Sequence, residues 1–598
     1  MPAVPASLQP LVLDELARLC ASESLRRSQA LVRLLRYLVE RHVAGDAQAL
    51  RETSIALEVF RRDPGTYDPQ SDPIVRVSTG RLRERIGSHY ERRDGAMVRI
   101  VLPKGGYVPE YVVSADSVAP RRGIAVLRTR NATGDATLDT FCAALADRLC
   151  DHLARAGIAR VIARASVDGA VARSDGPAAL ADLLDVAWIL DSAVTHEDGD
   201  ARGDALRIAV RMLDAADASV RWSEARIAGG ASRHAAADRL IDAVVVRVAE
   251  TLPGTGAPAQ ATSRGDELPP AQRAALDAAR LLLLQRTLPA TEEAIELAER
   301  AAAACPGSAQ AWGVLASALY SRMTFQDQRI APLAGRVRAA AEHALALDPD
   351  EPVALRSKAI IVGRYEWRVA EASALFERAL RAMPHYTSAR LNRADLLIAR
   401  GEFERALAEV NLALVYDPLS SSVRLARALA LAMLQRYDEA RAEWSILRAS
   451  GERSYWVYTG PARMEALAGR LDVARALSDE ALRSFPDLPD PLLTAAYVAA
   501  SAGDGDTALR VDGDLASRFP HFSPTHRALV RGVLRDRAGV LQRLDDAIDA
   551  RDIAFLHAGV APEFAWIAKD PEFARRVATA GFFPERAATA ATLRRAAD

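Results

Sequence analysis

The residues best suited to chemistry in this sequence are cations. Arg76, Arg81, Arg83 and Arg85 fall within residues 72–91, and Lys104 follows in Pro103-Lys104-Gly105-Gly106. At about 100° per residue, Val75, Thr79, Leu82, Ile86 and Tyr90 share a narrow arc, so the run predicts a helix with one buried face. Asp72 suits the N-cap and Pro73 the first helical position. The arginines flank that face, with Arg76 and Arg83 on one side and Arg81 and Arg85 on the other. Residues 72–104 hold eight Arg or Lys against four Asp or Glu, whereas the whole chain carries a net charge of −1. A polyanion would have to be met by this local patch, because no global field favours it.

No other constellation supports a reaction. His521 and His526 flank a proline and have no third ligand nearby in sequence, so a metal is not expected. Asp545, Asp546 and Asp549 read as an ordinary acidic helix surface. Cys20, Cys142, Cys150 and Cys305 are scattered without ligand spacing, which suits free thiols in a reducing cytosol. Nothing matches the phosphate-binding G-x-x-x-x-G-K-[ST] loop, and no Ser/His/Asp or Cys/His set emerges from spacing. No enzyme activity, cofactor or metal is expected. No apolar run reaches the roughly 18 residues a membrane span needs, and the N-terminus lacks a signal-peptide pattern. The chain reads as cytoplasmic.

The elements that must position the cations come first in the chain. Helices are expected at about 8–21, 27–44 and 52–60, then a loop at 61–71, the basic helix, and two strands at 98–102 and 107–112. The run Val77-Ser78-Thr79-Gly80-Arg81-Leu82-Arg83-Glu84-Arg85-Ile86, with Gly105-Gly106-Tyr107 in the second strand, resembles the winged-helix output domain of OmpR-type and ToxR/CadC-type regulators over residues 25–112. That resemblance implies double-stranded DNA as a partner. It implies base contacts from Ser78, Arg81 and Arg83, with Lys104 on the wing. Arg76, Arg85 and Lys104 would neutralise phosphates, and a dimer would bind repeated half-sites. Two departures stand out. The family's four-stranded N-terminal sheet has no counterpart here. Gly80 sits mid-helix at a cost of about 1 kcal/mol against Ala, which suggests a close backbone approach.

Residues 121–252 read as a small α/β domain. A strand at 123–127, a helix at 136–155, a strand at 159–165 and a helix at 177–184 precede three antiparallel strands at 186–196, 205–214 and 219–228. A helix at 232–250 closes the unit. The stretches IAVL, VIARAS, AWILDSAVT, LRIAVRMLDA and VRWSEARI resemble the TolB-N-terminal-like module of bacterial regulators, which implies a structural or signal-relaying role. Residues 253–267 read as a flexible linker.

The strongest signal is periodic. Pro349, Pro384, Pro418, Pro486 and Pro520 are separated by 35, 34, 68 and 34 residues, with Glu452 where one proline is missing. Gly401, Phe403, Ala406 and Ala413 fall in one unit; Tyr437, Ala440 and Trp444 fall in the next. This is the 34-residue tetratricopeptide pattern. About six units are expected to stack into a right-handed superhelix whose concave groove takes a protein or peptide. Trp312, Trp444 and Trp456 would fill the repeat core. Arg390, Arg393, Arg424 and Arg427 stand where large apolar residues are usual. They read either as arginines at the edge of the groove or as a basic strip facing its ligand.

The expected chain is therefore multidomain. It has a winged helix-turn-helix at 1–115, an α/β domain at 121–252, a linker at 253–267, an all-α tetratricopeptide solenoid at 268–525 and a helical cap at 526–598. The expected function is a DNA-binding transcriptional regulator whose repeats sense a partner. The rival reading is a repeat-based interaction scaffold without DNA binding.

Overall fold

The computed structural model describes residues 28–580 apart from 47, 70, 92–97, 104, 114–122, 198–204, 230–231, 253–267 and 326–329. It also describes Val12, Glu15, Leu16, Leu19, Cys20, Ser22 and Leu25. The expected linker at 253–267, and Lys104, lie outside the described residues.

From Gln29 on, the N-terminal unit runs α1 (Gln29–Val43), α2 (Glu52–Glu58), α3 (Ile74–Glu91), then β1 (Val98–Val101) antiparallel to β2 (Glu110–Val113); the described residues Val12, Glu15, Leu16, Leu19 and Cys20 before it are helical too. The face foreseen for α3 is the buried one. Val75, Thr79 and Leu82 have no solvent exposure, and they pack in one core with Leu34, Leu35, Leu38, Ile55 and Ile100. Thr79 donates its hydroxyl to the Val75 carbonyl at 2.8 Å, which lets a polar side chain sit inside. Tyr90 closes the unit: its hydroxyl donates to Glu15 at 3.1 Å and accepts from the Ile100 amide at 3.0 Å. The second strand starts at Glu110, later than the sequence suggested, and the loop before it is held by a side chain instead of a ladder. A Cβ built on Gly80 would meet open space, so the expected close approach to the protein's own backbone is not made.

The central unit is a six-stranded sheet with helices on both faces. Its order is β5 (Arg160–Val161), β3 (Gly123–Val126), β6 (Val186–His196), β7 (Ala205–Asp214), β8 (Val220–Gly229), and short β4 (Arg130–Asn131) also pairs with β6. The β3 contacts are parallel, and β6–β7–β8 is the expected antiparallel meander. α4 (Asp139–Ala156) and α7 (Arg233–Thr251) cover one face through Phe141, Leu145, Leu149, Leu240 and Val244. α5 (Arg164–Val171) and α6 (Pro177–Leu184) cover the other through Val167, Leu180 and Leu184. The strand expected at 159–165 is cut short, because the chain turns into α5 at Arg164.

Helix pairs fill the rest. Pair one is α8 (Pro270–Leu284) and α9 (Leu288–Ala304); pair two is α10 (Ala309–Met323) and α11 (Ile330–Leu347). Pair three is α12 (Pro352–Ile360), prolonged by one wide turn at Ile361–Tyr365, and α13 (Val369–Ala382). Pair four is α14 (Thr387–Ala399) and α15 (Phe403–Tyr416); pair five is α16 (Ser421–Met433) and α17 (Tyr437–Ala449). Pair six is α18 (Trp456–Leu467) and α19 (Leu471–Ser484); pair seven is α20 (Pro489–Ser501) and α21 (Gly505–Arg518). Pair eight is α22 (Pro524–Val533) and α23 (Arg537–Asp549). Two short 3-10 turns, Ile553–His557 and Pro562–Phe564, lead to α24 (Pro571–Ala578).

The array thus has eight pairs among the described residues, where the proline spacing suggested about six. Pro306 ends the first pair in the same way, Glu452 replaces the proline after pair five, and the last pair lacks that mark. Ala372, Ala406, Ala440, Ala474 and Ala508 recur every 34 residues, and each is fully buried where the two helices of a pair approach. Among the described residues no helix is long and apolar enough to cross a membrane.

α15 joins the three units. Leu412, on one face, is buried in the N-terminal core. At its end, the Tyr416 carbonyl accepts from the Ala163 amide at 2.7 Å and the Val415 carbonyl accepts from Arg160 at 3.1 Å. Just beyond, Ser166 donates to Asp417 at 2.5 Å and accepts from the Leu419 amide at 2.9 Å.

Candidate interaction surfaces

Among the described residues, the structure separates five of the six expected DNA contacts. Arg83 bends back onto the hairpin loop, donating to the carbonyls of Leu102 at 3.0 Å, Pro103 at 3.1 Å and Gly106 at 2.7 Å. These carbonyls have no strand partner, so a five-donor guanidinium supplies what a ladder would. Arg76 pairs with Glu52 at 3.2 Å and donates to the Pro69 carbonyl, which fixes the start of α3 against α2. Both guanidinium groups, expected as a base contact (Arg83) and a phosphate contact (Arg76), are engaged within their own unit. Ser78 is half-buried, while Arg81 and Arg85 are exposed on α3.

The array's arginines are neither a basic strip nor groove-edge residues. Arg390 and Arg393 are 0% and 2% exposed, and Glu409, facing them from α15, is 3% exposed. Arg390 donates to Glu409 at 2.9 Å and Arg393 donates to its other oxygen at 2.5 Å. Arg393 also reaches Glu377 at 2.8 Å, and Arg390 the Pro384 carbonyl at 3.1 Å. One repeat later the arrangement returns. Arg424 and Arg427 pair with Glu443, Arg427 reaches Asn411 at 3.0 Å, and Arg424 reaches the Pro418 carbonyl at 3.0 Å. A buried guanidinium is tolerated only with this degree of pairing. The signal was present in the sequence, since Glu409 and Glu443 repeat at the same interval as the arginines they neutralise.

Part of the array's first-helix side is covered by the chain itself. The stretch Arg551–Trp566 crosses it and touches the first helix, or the wide turn prolonging it, in pairs three, four, seven and eight. The Phe555 ring centroid lies 5.1 Å from that of Trp367, and the Arg551 guanidinium also lies over the indole, 4.9 Å from its centroid. His557 pairs with Asp395 at 3.2 Å, and Arg364 holds the same carboxylate at 2.7 Å. Burial alone would raise the Asp395 carboxyl, but Arg364 and His557 outweigh it and hold the carboxyl far below the usual range. Tyr497 donates to Glu563 at 2.8 Å, and Trp566 to the Gly532 carbonyl at 2.8 Å. Gly532 is required here, because a Cβ would come within 2.8 Å of the Phe564 ring. Burial, followed by nearby Arg463, pushes His526 down to about 4.

A 480 Å³ cavity opens where the central unit meets the array, lined by Ser166, Arg286, Asp417, Ser421, Glu452 and Trp456 among others. Burial raises the Asp417 carboxyl, against the hydrogen bond from Ser166. Among the described residues no group of three His, Cys, Asp or Glu side chains could hold a metal.

A family model described as tetratricopeptide repeat matches residues 368–430, which is most of pairs three to five. No curated protein matches the chain. Among solved structures, the type IV pilus biogenesis factor PilW is 22% identical, with a TM-score of 0.30 over 36% of this chain and 95% of that one. A tetratricopeptide repeat protein from Parabacteroides merdae is 15% identical, with a TM-score of 0.33 over 44% and 98%. Yeast Tom70 is 14% identical, with a TM-score of 0.33 over 51% and 67%. The C-terminal region of this chain carries tetratricopeptide repeats.

Proposed function

We propose that this chain is a protein-interaction scaffold, without catalysis of its own, that works in the cytoplasm. The observation carrying this reading is the tetratricopeptide array itself, matched by a repeat model at residues 368–430 and serving as the frame on which both smaller units sit. Stacked helix pairs offer long surfaces suited to protein partners. The central unit, which resembles the TolB-N-terminal-like module, relays between the array and the N-terminal unit. Photo-crosslinking in cells from Leu429 and Ile446, exposed apolar residues of pair five, tests the reading. A defined protein should cross-link from both positions. Cross-linking from neither, nor from Leu467 or Leu509 farther along, would overturn it.

A second reading, a transcriptional regulator, is favoured by one observation: Arg81 and Arg85 stand exposed on α3 beside a hairpin that Arg83 holds in place. In that reading Ser78, Arg81, Arg85 and Lys104 meet double-stranded DNA, and a homodimer spans two half-sites. Salt separates the two. Phosphate contacts lose affinity steeply as salt rises, and a complex between repeats and a protein responds weakly.

A further inference from the structure

The contact between Arg551–Val560 and pairs three and four joins parts of the array that are far apart in sequence. Glu563, Phe564 and Trp566, by contrast, touch pairs seven and eight, their neighbours along the chain. The long-range contact has the character of a bound peptide. One aromatic anchor, Phe555, enters beside Trp367. One imidazole, His557, meets Asp395 two positions later. The stretch forms a single 3-10 turn, so its backbone is satisfied locally and needs no ridge-into-groove packing with a second helix. The fit is also incomplete: the Trp367 indole nitrogen is buried and has no acceptor. A buried donor left unpaired costs free energy that a better-matched ligand would recover.

We propose that the inner face of pairs three and four is a peptide-binding site occupied in cis by residues 551–560. The partner it takes in trans is a segment with an aromatic residue and, two positions later, a cation. The aromatic would lie against Trp367, the cation would sit on Asp395, and a backbone carbonyl of the incoming segment would accept from the Trp367 indole. The resident segment then regulates access, and binding uncovers this face of pairs three and four. This deepens the scaffold reading and rests on it for its biological meaning.

The test uses the full chain and a fluorescent peptide of residues 550–562. In the acceptor, Arg551→Ala with His557→Ala removes two of the segment's contacts to pairs three and four and leaves Phe555 in place. The peptide should bind this variant at least tenfold more tightly than the unaltered chain. The gain should disappear with Phe555→Ala in the peptide or Asp395→Asn added to the acceptor. Equal binding to a helical variant and to the unaltered chain would overturn the proposal. If the double variant loses helical circular dichroism, His557→Gln alone is tested in the same titration. Unfolding of that variant too would mark the contact as indispensable core and overturn the proposal, as would a folded His557→Gln chain that binds no more tightly. No outside protein is needed, so failure here leaves the crosslinking test of the scaffold reading untouched.

Discussion

Arg390 and Glu409 face each other across the two helices of pair four and form an ion pair with 0% and 3% exposure. Removing one member of such a pair leaves the other charged and dry, whereas replacing the whole set need not. Glu409→Ala, which strands Arg390 and Arg393 together, should cost about 3–5 kcal/mol in urea unfolding. The triple change Arg390→Met, Arg393→Leu, Glu409→Leu should come within about 1–2 kcal/mol of the native value or exceed it. A mild effect of Glu409→Ala would mean that water reaches the site.

Arg83 and Arg81 should behave differently although they are two residues apart. Arg83→Ala takes the donors from three loop carbonyls. It should cost about 1–3 kcal/mol locally, seen as faster hydrogen exchange at the Ile100 amide. Arg81→Ala should leave that exchange unchanged. If the regulator reading holds, Arg81→Ala should weaken DNA binding by about 1–3 kcal/mol with the hairpin intact.

Gly80 lies in the middle of α3, and open space surrounds its would-be Cβ. Gly80→Ala should therefore stabilise the N-terminal unit by up to about 1 kcal/mol. The thermal midpoint checks this directly. Stabilisation together with lost DNA affinity would assign the bare backbone at Gly80 to a phosphate or groove contact.

His234 is buried edge-on against Phe141, with ring centroids 5.1 Å apart. Burial first, and Arg233 and Arg148 next, push it down to about 4 from 6.5. The unfolded chain therefore binds more protons between pH 6.5 and 4, and stability falls as pH drops through that window. The loss attributable to His234 should reach roughly 3 kcal/mol at the lower end. His234→Phe should remove this share of the acid sensitivity, measured as the difference in urea midpoints between pH 7 and pH 4.5. An unchanged difference would place the acid sensitivity elsewhere.

Periodicity and strand alternation carried most of the fold. The meander β6–β7–β8 lies within one residue of its expected position, and the repeat interval places the small residues Ala406 and Ala440 between helices. The spacing also made Trp444 a core residue, and it is 3% exposed. What could not be read depends on contacts between distant residues. The buried arginines look like surface residues until their glutamates are paired with them across the helix hairpin. Arg83 looks like a DNA contact because its carbonyl partners are far along the chain and carry no side-chain signature. Residues 164–165 look like strand because α5 is set by docking of Ser166 onto Asp417 and Leu419, which no local propensity reports. The segment lying across pairs three and four was invisible for the same reason, since His557 and Asp395 have no sequence relationship.

The position of α15 has a mechanical consequence. A single rod presents Leu412 to one small unit and the carbonyls of Val415 and Tyr416 to another. Neither unit can be re-aimed by a twist at pair four without the other following. An event that unwinds the array there would turn both appendages through a shared axle, whatever the tethers between them allow.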